Sequence, residues 1–363
     1  MRTPLIISSL ALSGLILSGC NAPAPAPTQE QPEPEVSSEE QEAAAPERVI
    51  SVSTTVLGDV VEQMVACVGD DSIGVEVLMP IGVDPHDYQP SSAQLATIAD
   101  SGVVVANGLM LEESLVEPLE ELEAEGGSVY RLAEMVDPIP FAEIGGHEHD
   151  HGHEEEHDHG HEDEHDHGHE EEHDHGHEED HDHGHDHGEF DPHFWLDMER
   201  VALATELLGS ELATDFGASF ETCGAEIAQS IRTTEGEVVG ILDSIPEENR
   251  LLVTDHEAMS YFAERYDFEI AGVLIRGGGT LAEPSSQELA QLVEQIDNLG
   301  LSTMFGNVHA PSDLLESIAT ESGGDVQVVS LYLGSIGEAG SEHGSYQEMM
   351  LANARAIASA LGS

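Results

Sequence analysis

Residues 48–86 read RVISVSTTVLGDVVEQMVACVGDDSIGVEVLMPIGVDPH, and this stretch decides the fold class. Its first segment, 49–53, is a run of β-prone residues, and 58–68 carries apolar residues at helical spacing. A second strand is predicted at 75–79, followed by a turn at 80–85 that contains two prolines. Strand, helix and strand in this order predict a parallel sheet with helices on both faces.

The same alternation continues along the chain. We predict a helix at 91–99, a buried strand at 103–106 and a long, mostly helical stretch without proline at 198–242. A second alternating block has strands at 251–254, 269–275, 302–305 and 326–330 and helices at 258–266, 286–299, from 312 and at 346–361. The predicted domains are an N-terminal α/β lobe at 48–213, a linking helix at 214–245 and a C-terminal α/β lobe at 246–363.

The charge of the chain excludes two classes of function. Its 363 residues include 74 acidic residues and only 9 Lys or Arg, all of them Arg. Nucleic-acid binding needs clustered Lys and Arg to neutralise phosphates, and electrostatic docking on anionic lipid needs the same residues. The acidity fits either adaptation to a salty environment or an ordinary acidic cell-surface protein.

The N-terminus is typical of an exported and anchored protein. Residues 1–19 combine one Arg, an apolar run and small residues, which predicts a signal peptide. Cys20 directly follows Leu17-Ser18-Gly19, which resembles the bacterial lipoprotein cleavage box, and we predict that Cys20 is lipidated. An uncleaved signal anchor is the alternative. Residues 20–47, rich in Pro and Glu, predict a tether with a reach of roughly 80 Å at about 3.1 Å per residue.

Two further cysteines, Cys67 and Cys223, would face an oxidising exterior. They form either a disulfide or two separate buried thiols, and the sequence leaves both possibilities open. A bond would close a long loop, worth about 4 to 5 kcal/mol in the chain-entropy treatment.

Three histidines occupy informative positions. His86 follows a predicted strand and a proline-containing turn, His193 lies in the sequence Asp-Pro-His at 191–193, and His256 comes just after the strand at 251–254. Ligands of doubly wound sheets bind beyond the carboxyl ends of strands, where His86 and His256 are expected. Three converging imidazoles would suit zinc. Each histidine taken alone also fits a core or surface position, as do the remaining His309 and His343.

A histidine-rich tract covers residues 147–188 and consists of 17 His, 19 Asp or Glu and 6 Gly in an eight-residue repeat. Without apolar residues it predicts no packed helix, so its four H-E-x-x-H matches do not indicate a metalloprotease. We predict that the tract is an auxiliary site that captures metal with poor selectivity among Zn, Ni and Cu. The alternative is a solvated acidic run without metal. Its histidines are His147, His149, His151, His153, His157, His159, His161, His165, His167, His169, His173, His175, His177, His181, His183, His185 and His187.

Six stretches together carry a resemblance to a known family. They read GVDPHDYQPSSAQ at 82–94, VANGLMLEE at 105–113, DPHFWLDMERV at 191–201, LLVTDHEAMSYFAERY at 251–266, AEPSSQEL at 282–289 and SYQEMMLANARAIASAL at 345–361. Over 48–363 the chain resembles the metal-binding solute-binding lipoproteins of bacterial ABC importers for zinc and manganese, the ZnuA/TroA-like group. Its His-rich insertion is similar to that of zinc members.

The resemblance implies two Rossmann-like lobes with parallel sheets, one long linking helix and a metal site in the cleft between the lobes. It places His86, His193 and His256 on the family's ligand positions. A His at the third position is typical of zinc binders, whereas a carboxylate there accompanies manganese, which prefers oxygen donors.

Two positions depart from the family pattern. Gly334 stands where the family commonly has a ligand Asp, and Asn307 stands where it has a Glu near the site. The fourth metal ligand is then water or a local group such as Asp87, Asp255 or His309.

These observations predict a lipoprotein that captures Zn²⁺ outside the cytoplasm and delivers it to the membrane subunit of an ABC permease, without catalysis. We expect a monomer attached to the cell membrane through its lipid anchor only, on the periplasmic side if the host has an outer membrane. Alternatives are a binding protein for manganese or another divalent metal, a surface metal buffer or adhesin, and a three-His metallohydrolase with an open water position.

Overall fold

Parallel strands and helices alternate through the computed structural model, which describes residues 46–141, 189–277, 279–280, 282–323 and 326–362. Three predicted features lie outside the described residues and stay predictions. They are the signal peptide at 1–19, the lipidated Cys20 with most of its tether, and the histidine-rich tract at 147–188.

The N-terminal lobe is built on four parallel strands in the order β2-β1-β3-β4. The strands are β1 (Arg48–Val52), β2 (Ile73–Val77), β3 (Val103–Ala106) and β4 (Ser128–Arg131), and the helices are α1 (Thr55–Val68), α2 (Ser92–Ser101) and α3 (Val116–Ala124). The ends of α1 are capped in two ways: the Thr54 side chain accepts a hydrogen bond from the Leu57 N–H, and Gly69 ends the helix through its backbone, with a left-handed φ of 67°. The sequence did not indicate β4, because all four of its residues are half-buried and form no continuous apolar run.

Two helices, α4 (Met198–Phe216) and α5 (Ser219–Leu242), connect the lobes. The single linking helix expected at 214–245 is therefore shorter, because Gly217 interrupts it with a φ of 116° and residues up to 216 belong to α4. The two helices pack closely where Gly209 meets Gly224: a Cβ atom on Gly224 would lie 2.9 Å from the Gly209 Cα. Only glycine allows the backbones to approach so closely.

The C-terminal lobe repeats the plan of the first. Four parallel strands lie in the order β6-β5-β7-β8. They are β5 (Leu251–His256), β6 (Glu269–Ile275), β7 (Thr303–Asn307) and β8 (Gln327–Leu331), accompanied by α6 (Ser260–Tyr266), α7 (Ser286–Leu299), α8 (Asp313–Glu321) and α9 (Tyr346–Leu361). Two parallel sheets with flanking helices confirm the predicted fold class.

One continuous apolar core joins the inner faces of both sheets. It contains Ile50 and Val52 from β1 and Leu252 and Phe305 from the second sheet, together with the buried faces of α1, α4, α5, α6 and α9. Smaller clusters lie under the outer helices α2 and α3 and under α7 and α8. Both sheets are thus covered on two faces, as parallel sheets require.

Cys67 of α1 and Cys223 of α5 form a disulfide with an S–S distance of 2.02 Å across a sequence separation of 156 residues. The bond attaches the connecting helix α5 to the N-terminal lobe. Among the described residues, no helix has the length and apolar character needed to cross a membrane.

Candidate metal centre

His86 lies in the loop after β2, at the carboxyl edge of the first sheet. The turn before it contains Gly82, which has a left-handed φ of 81°. The Asp84 carboxylate accepts a hydrogen bond from the His86 backbone N–H at 3.0 Å and so fixes the direction in which the chain leaves the turn. The His86 side chain is half-buried.

His193 is buried in the segment before α4, and groups from both lobes hold it. Asp191 Oδ1 accepts a hydrogen bond from the His193 backbone N–H at 2.9 Å and lies 2.7 Å from His193 Nδ1. The Tyr261 hydroxyl donates to the Asp191 carbonyl at 2.9 Å, and Asn107 Nδ2 donates to the Pro192 carbonyl at 2.9 Å. The position of this imidazole is therefore determined by a buried polar network.

His256 is the last residue of β5 and is also buried. Asp255 Oδ1 accepts from the His256 backbone N–H at 2.8 Å and lies 2.7 Å from His256 Nδ1. The other oxygen, Oδ2, accepts from the Asn307 N–H at 2.6 Å, at the end of neighbouring strand β7. The sheet thus holds both the imidazole and the carboxylate behind it.

The three imidazoles converge from three separate parts of the chain. One nitrogen of each lies within 4.8 Å of the corresponding nitrogens of the others. The Nε2 atoms of His86 and His193 are 3.1 Å apart, and the ring centroids are 5.1 to 6.1 Å apart. With Nδ1–H of His193 and His256 donating to the carboxylates of Asp191 and Asp255, Nε2 of each carries the lone pair that can coordinate a metal.

Burial and neighbouring charges set the protonation of these groups. Burial, reinforced by the charge of His256, holds the pKa of His193 well below its usual value. Burial alone would also lower the pKa of His256, but the adjacent Asp255 carboxylate raises it above the usual value. Burial raises the pKa of Asp191 to about 7. The pKa of Asp255 is below its usual value despite burial, because the His256 charge and three N–H donors stabilise the carboxylate.

No fourth His, Cys, Asp or Glu joins the group among the residues that the structure describes. Of the three candidates, Asp87 and His309 are exposed, and both oxygens of Asp255 are already engaged behind His256. His309 instead packs edge-on against Tyr332, with ring centroids 5.4 Å apart. Among the described side chains, the group therefore consists of the three histidines alone.

Gly334, in the C-terminal lobe, borders the loop that carries His86 and the end of β7. A Cβ atom on Gly334 would lie 3.4 Å from Pro85 Cδ, next to His86, and 3.7 Å from Asn307 Nδ2. The preceding carbonyl, that of Leu333, accepts a hydrogen bond from Trp195 Nε1 at 2.7 Å, two residues after His193. Residue 334 therefore lies close to the segments that carry all three histidines.

The supporting role of the aspartates behind the histidines was not identified from the sequence, where Asp255 was named only as a candidate fourth ligand. Each histidine of the group follows an aspartate by one or two residues: Asp84, Asp191 and Asp255. Each of these aspartates accepts a hydrogen bond from the backbone N–H of its histidine. The repeated Asp-His spacing is the signal that would have found them.

Residues 50–360 match the family described as ZnuA, zinc-uptake complex component A, periplasmic. The chain belongs to this family. This match confirms the predicted resemblance. ZnuA-family proteins are solute-binding proteins and not enzymes, which excludes the metallohydrolase alternative.

Three similar proteins differ in the metal that their names give. The chain is 24% identical over 315 residues to the manganese-binding lipoprotein MntA of Halalkalibacterium halodurans, covering 86% of this chain and 88% of MntA. It is 23% identical over 334 residues to the zinc-binding protein TroA of Treponema pallidum, covering 88% and 91% of the two chains. Zinc-binding lipoprotein AdcA of Streptococcus pneumoniae is 27% identical over 292 residues, which span 80% of this chain and 52% of AdcA.

Solved structures show the same fold. The structure of TroA from Treponema pallidum is similar with a TM-score of 0.67 at 22% identity, covering 88% of this chain and 100% of the TroA chain. A manganese-bound periplasmic metal-binding protein from Candidatus Liberibacter asiaticus is similar with a TM-score of 0.64 at 18% identity, covering 86% of this chain and 99% of that chain.

Proposed function

We propose that this chain captures Zn²⁺ with His86, His193 and His256 and delivers it to an ABC permease. The observation that carries the proposal is the donor set: three imidazoles converge within 4.8 Å, and no carboxylate belongs to the group among the described residues. Imidazole nitrogen suits zinc, whereas manganese prefers carboxylate, carbonyl and water oxygen. Three histidines plus water complete the four-coordinate geometry that zinc commonly adopts.

The surrounding carboxylates support capture of a dication. Asp191 and Asp255 lie 2.7 Å from the Nδ1 atoms of His193 and His256, an arrangement that orients metal-binding imidazoles and raises their basicity. The negative charge of Asp255, whose pKa is lowered, also offsets the charge of the bound ion. The names of relatives divide between manganese (MntA) and zinc (AdcA and TroA), so the choice of zinc rests on the donor set of this chain.

Attachment and delivery complete the proposal. A lipid on Cys20 anchors the mature chain outside the cytoplasm, the tether up to residue 47 gives it reach, and it acts as a monomer. The histidine-rich tract at 147–188 collects additional metal weakly. The partner is the membrane subunit of an ABC importer, to which the loaded protein passes its ion.

The test is a competition for metal. The purified full chain is exposed to equal concentrations of Zn²⁺ and Mn²⁺, and the metal retained after dialysis is measured, together with that of His256→Ala and of the control His343→Ala. We expect wild type and His343→Ala to retain zinc at the tight site, and His256→Ala to lose it. Preferential retention of manganese would contradict the choice of zinc.

Delivery is tested in cells that lack their own copy of the protein. Zinc uptake from zinc-poor medium should be restored by the full chain and reduced by Cys20→Ser, because the unanchored protein diffuses away from the permease. Full uptake with Cys20→Ser would remove the anchor from the proposal.

A further inference from the structure

A hydrogen bond between the lobes reaches the turn that carries His86. The hydroxyl of Thr280, which follows β6 in the C-terminal lobe, donates to Asp84 Oδ2 at 2.6 Å across a sequence separation of 196 residues. Asp84 belongs to the N-terminal lobe, and its other oxygen accepts from the His86 N–H at 3.0 Å. One carboxylate therefore joins a hydroxyl of one lobe to a metal-binding residue of the other.

The same part of the C-terminal lobe is also attached to the residue after His256. The Gly277 N–H donates to Glu257 Oε2 at 3.0 Å, and Glu257 is buried. Gly277 has a left-handed φ of 79°, which glycine adopts without strain. Because Ile275 pairs with His256 in the sheet, the backbone leading to Thr280 starts beside the metal centre.

His86 differs from the other two members of the group in burial and in its place in the fold. It is half-buried, whereas His193 and His256 are buried, and it stands on a loop after β2, whereas His256 ends β5. The charge of Asp84 also reaches the centre, since it acts to raise the pKa of both His193 and His256. An Asp84 held in place thus fixes the backbone that carries one imidazole and keeps a negative charge near the ion.

We propose that Thr280 is a positioning residue for metal capture: through Asp84 it holds His86 in place, and it forms this contact only when the lobes are closed. Metal retention and lobe closure are then coupled, because opening the cleft releases the His86 turn. The inference rests on the proposed function of the three-His group as a zinc site. Thr280 itself does not contact the ion in this proposal.

The test compares Thr280→Val, which removes the hydroxyl at nearly constant volume, with Thr280→Ser, which keeps it. Thr320→Val is the matched control, since the Thr320 hydroxyl donates to the Glu316 carbonyl at 2.9 Å on an exposed helix face. Zinc affinity, the rate of zinc release to a chelator and the metal-free melting temperature are measured on the full chain. We expect Thr280→Val to weaken zinc binding about tenfold, mostly through faster release, as for the loss of one hydrogen bond to a charged group. Thr280→Ser and Thr320→Val should match wild type, and the metal-free melting temperature should not change.

A double-mutant cycle with His86→Ala separates positioning from general support. If Thr280 acts through His86, Thr280→Val has no further effect on zinc affinity in the His86→Ala background. An equal additional loss there, or unchanged affinity of the single variant, would overturn the inference. Tighter binding by Thr280→Val would also overturn it, because the released Asp84 would then serve as a ligand. Absence of zinc binding by the wild-type chain would instead refute the proposed function.

Discussion

Replacing Asp255 by Asn tests whether the carboxylate behind His256 matters for metal capture. Asp255 accepts three hydrogen bonds: from His256 Nδ1 at 2.7 Å, from the His256 N–H at 2.8 Å and from the Asn307 N–H at 2.6 Å. The first two reach Oδ1 and the third reaches Oδ2. An amide has a single oxygen, so its NH₂ group must face at least one of these N–H donors.

The expected loss follows from these contacts. Removing the partner that orients a metal-bound histidine costs about 10- to 100-fold in metal affinity. Asp255→Asn also removes a negative charge and forces the amide NH₂ group against an N–H donor in a buried place. We therefore expect a loss of zinc affinity near the upper end of this range. A factor of about 100 corresponds to roughly 2.7 kcal/mol.

Asp191→Asn is the matched comparison. Asp191 stands at the same 2.7 Å from Nδ1 of its histidine, but both N–H groups of His193 reach one oxygen, Oδ1. The other oxygen, Oδ2, is buried and has no hydrogen-bond partner among the described residues, so an amide nitrogen placed there meets no opposing N–H donor. Burial raises the pKa of Asp191 to about 7, so a neutral amide resembles its protonated form. We expect a loss of at most about tenfold.

Affinity is measured by titration against a chromophoric zinc chelator at neutral pH, with the metal-free melting temperature as a check on folding. Losses of equal size in Asp255→Asn and Asp191→Asn would refute the reasoning from hydrogen-bond geometry. So would a fully retained affinity in Asp255→Asn.

Three further outcomes are expected. Zinc affinity should fall as pH decreases, and the fall should start above a pH of about 6.5, because the pKa of His256 is raised and protons compete with zinc there first. The lowered pKa of His193 keeps that imidazole neutral over the same range. An affinity that stays constant down to a pH of about 5 would contradict the three-His site. Gly334→Asp should tighten zinc binding and improve manganese binding proportionately more, because it adds a carboxylate oxygen donor. The side chain has room, since its Cβ atom would lie in ordinary contact, 3.4 Å from Pro85 Cδ. Unchanged or weaker binding of both ions would show that residue 334 does not face the ion. Deleting 147–188 should remove several weak zinc equivalents and leave the tightest one, as counted by titration; loss of the tightest equivalent would place the main site in the tract.

Periodicity was enough to determine the fold class. The β-prone runs and helical spacings of residues 48–86 specify strand, helix and strand locally, and the same patterns recur in the C-terminal half. Strand β4 was missed because its half-buried residues carry no such pattern. The break at Gly217 was also missed, since α4 and α5 each continue the same helical periodicity on either side of it.

The candidate site also combines features that the sequence shows with contacts that only the tertiary structure shows. His86, His193 and His256 could be selected from the sequence because strand ends and proline turns are local features, and parallel strands place their carboxyl ends at one edge. Their approach to within 4.8 Å, the disulfide between Cys67 and Cys223 and the bond from Thr280 to Asp84 were decided only by tertiary structure. These contacts join residues more than 60 positions apart, so they depend on how helices and sheets pack, and packing leaves no periodic signal in the sequence.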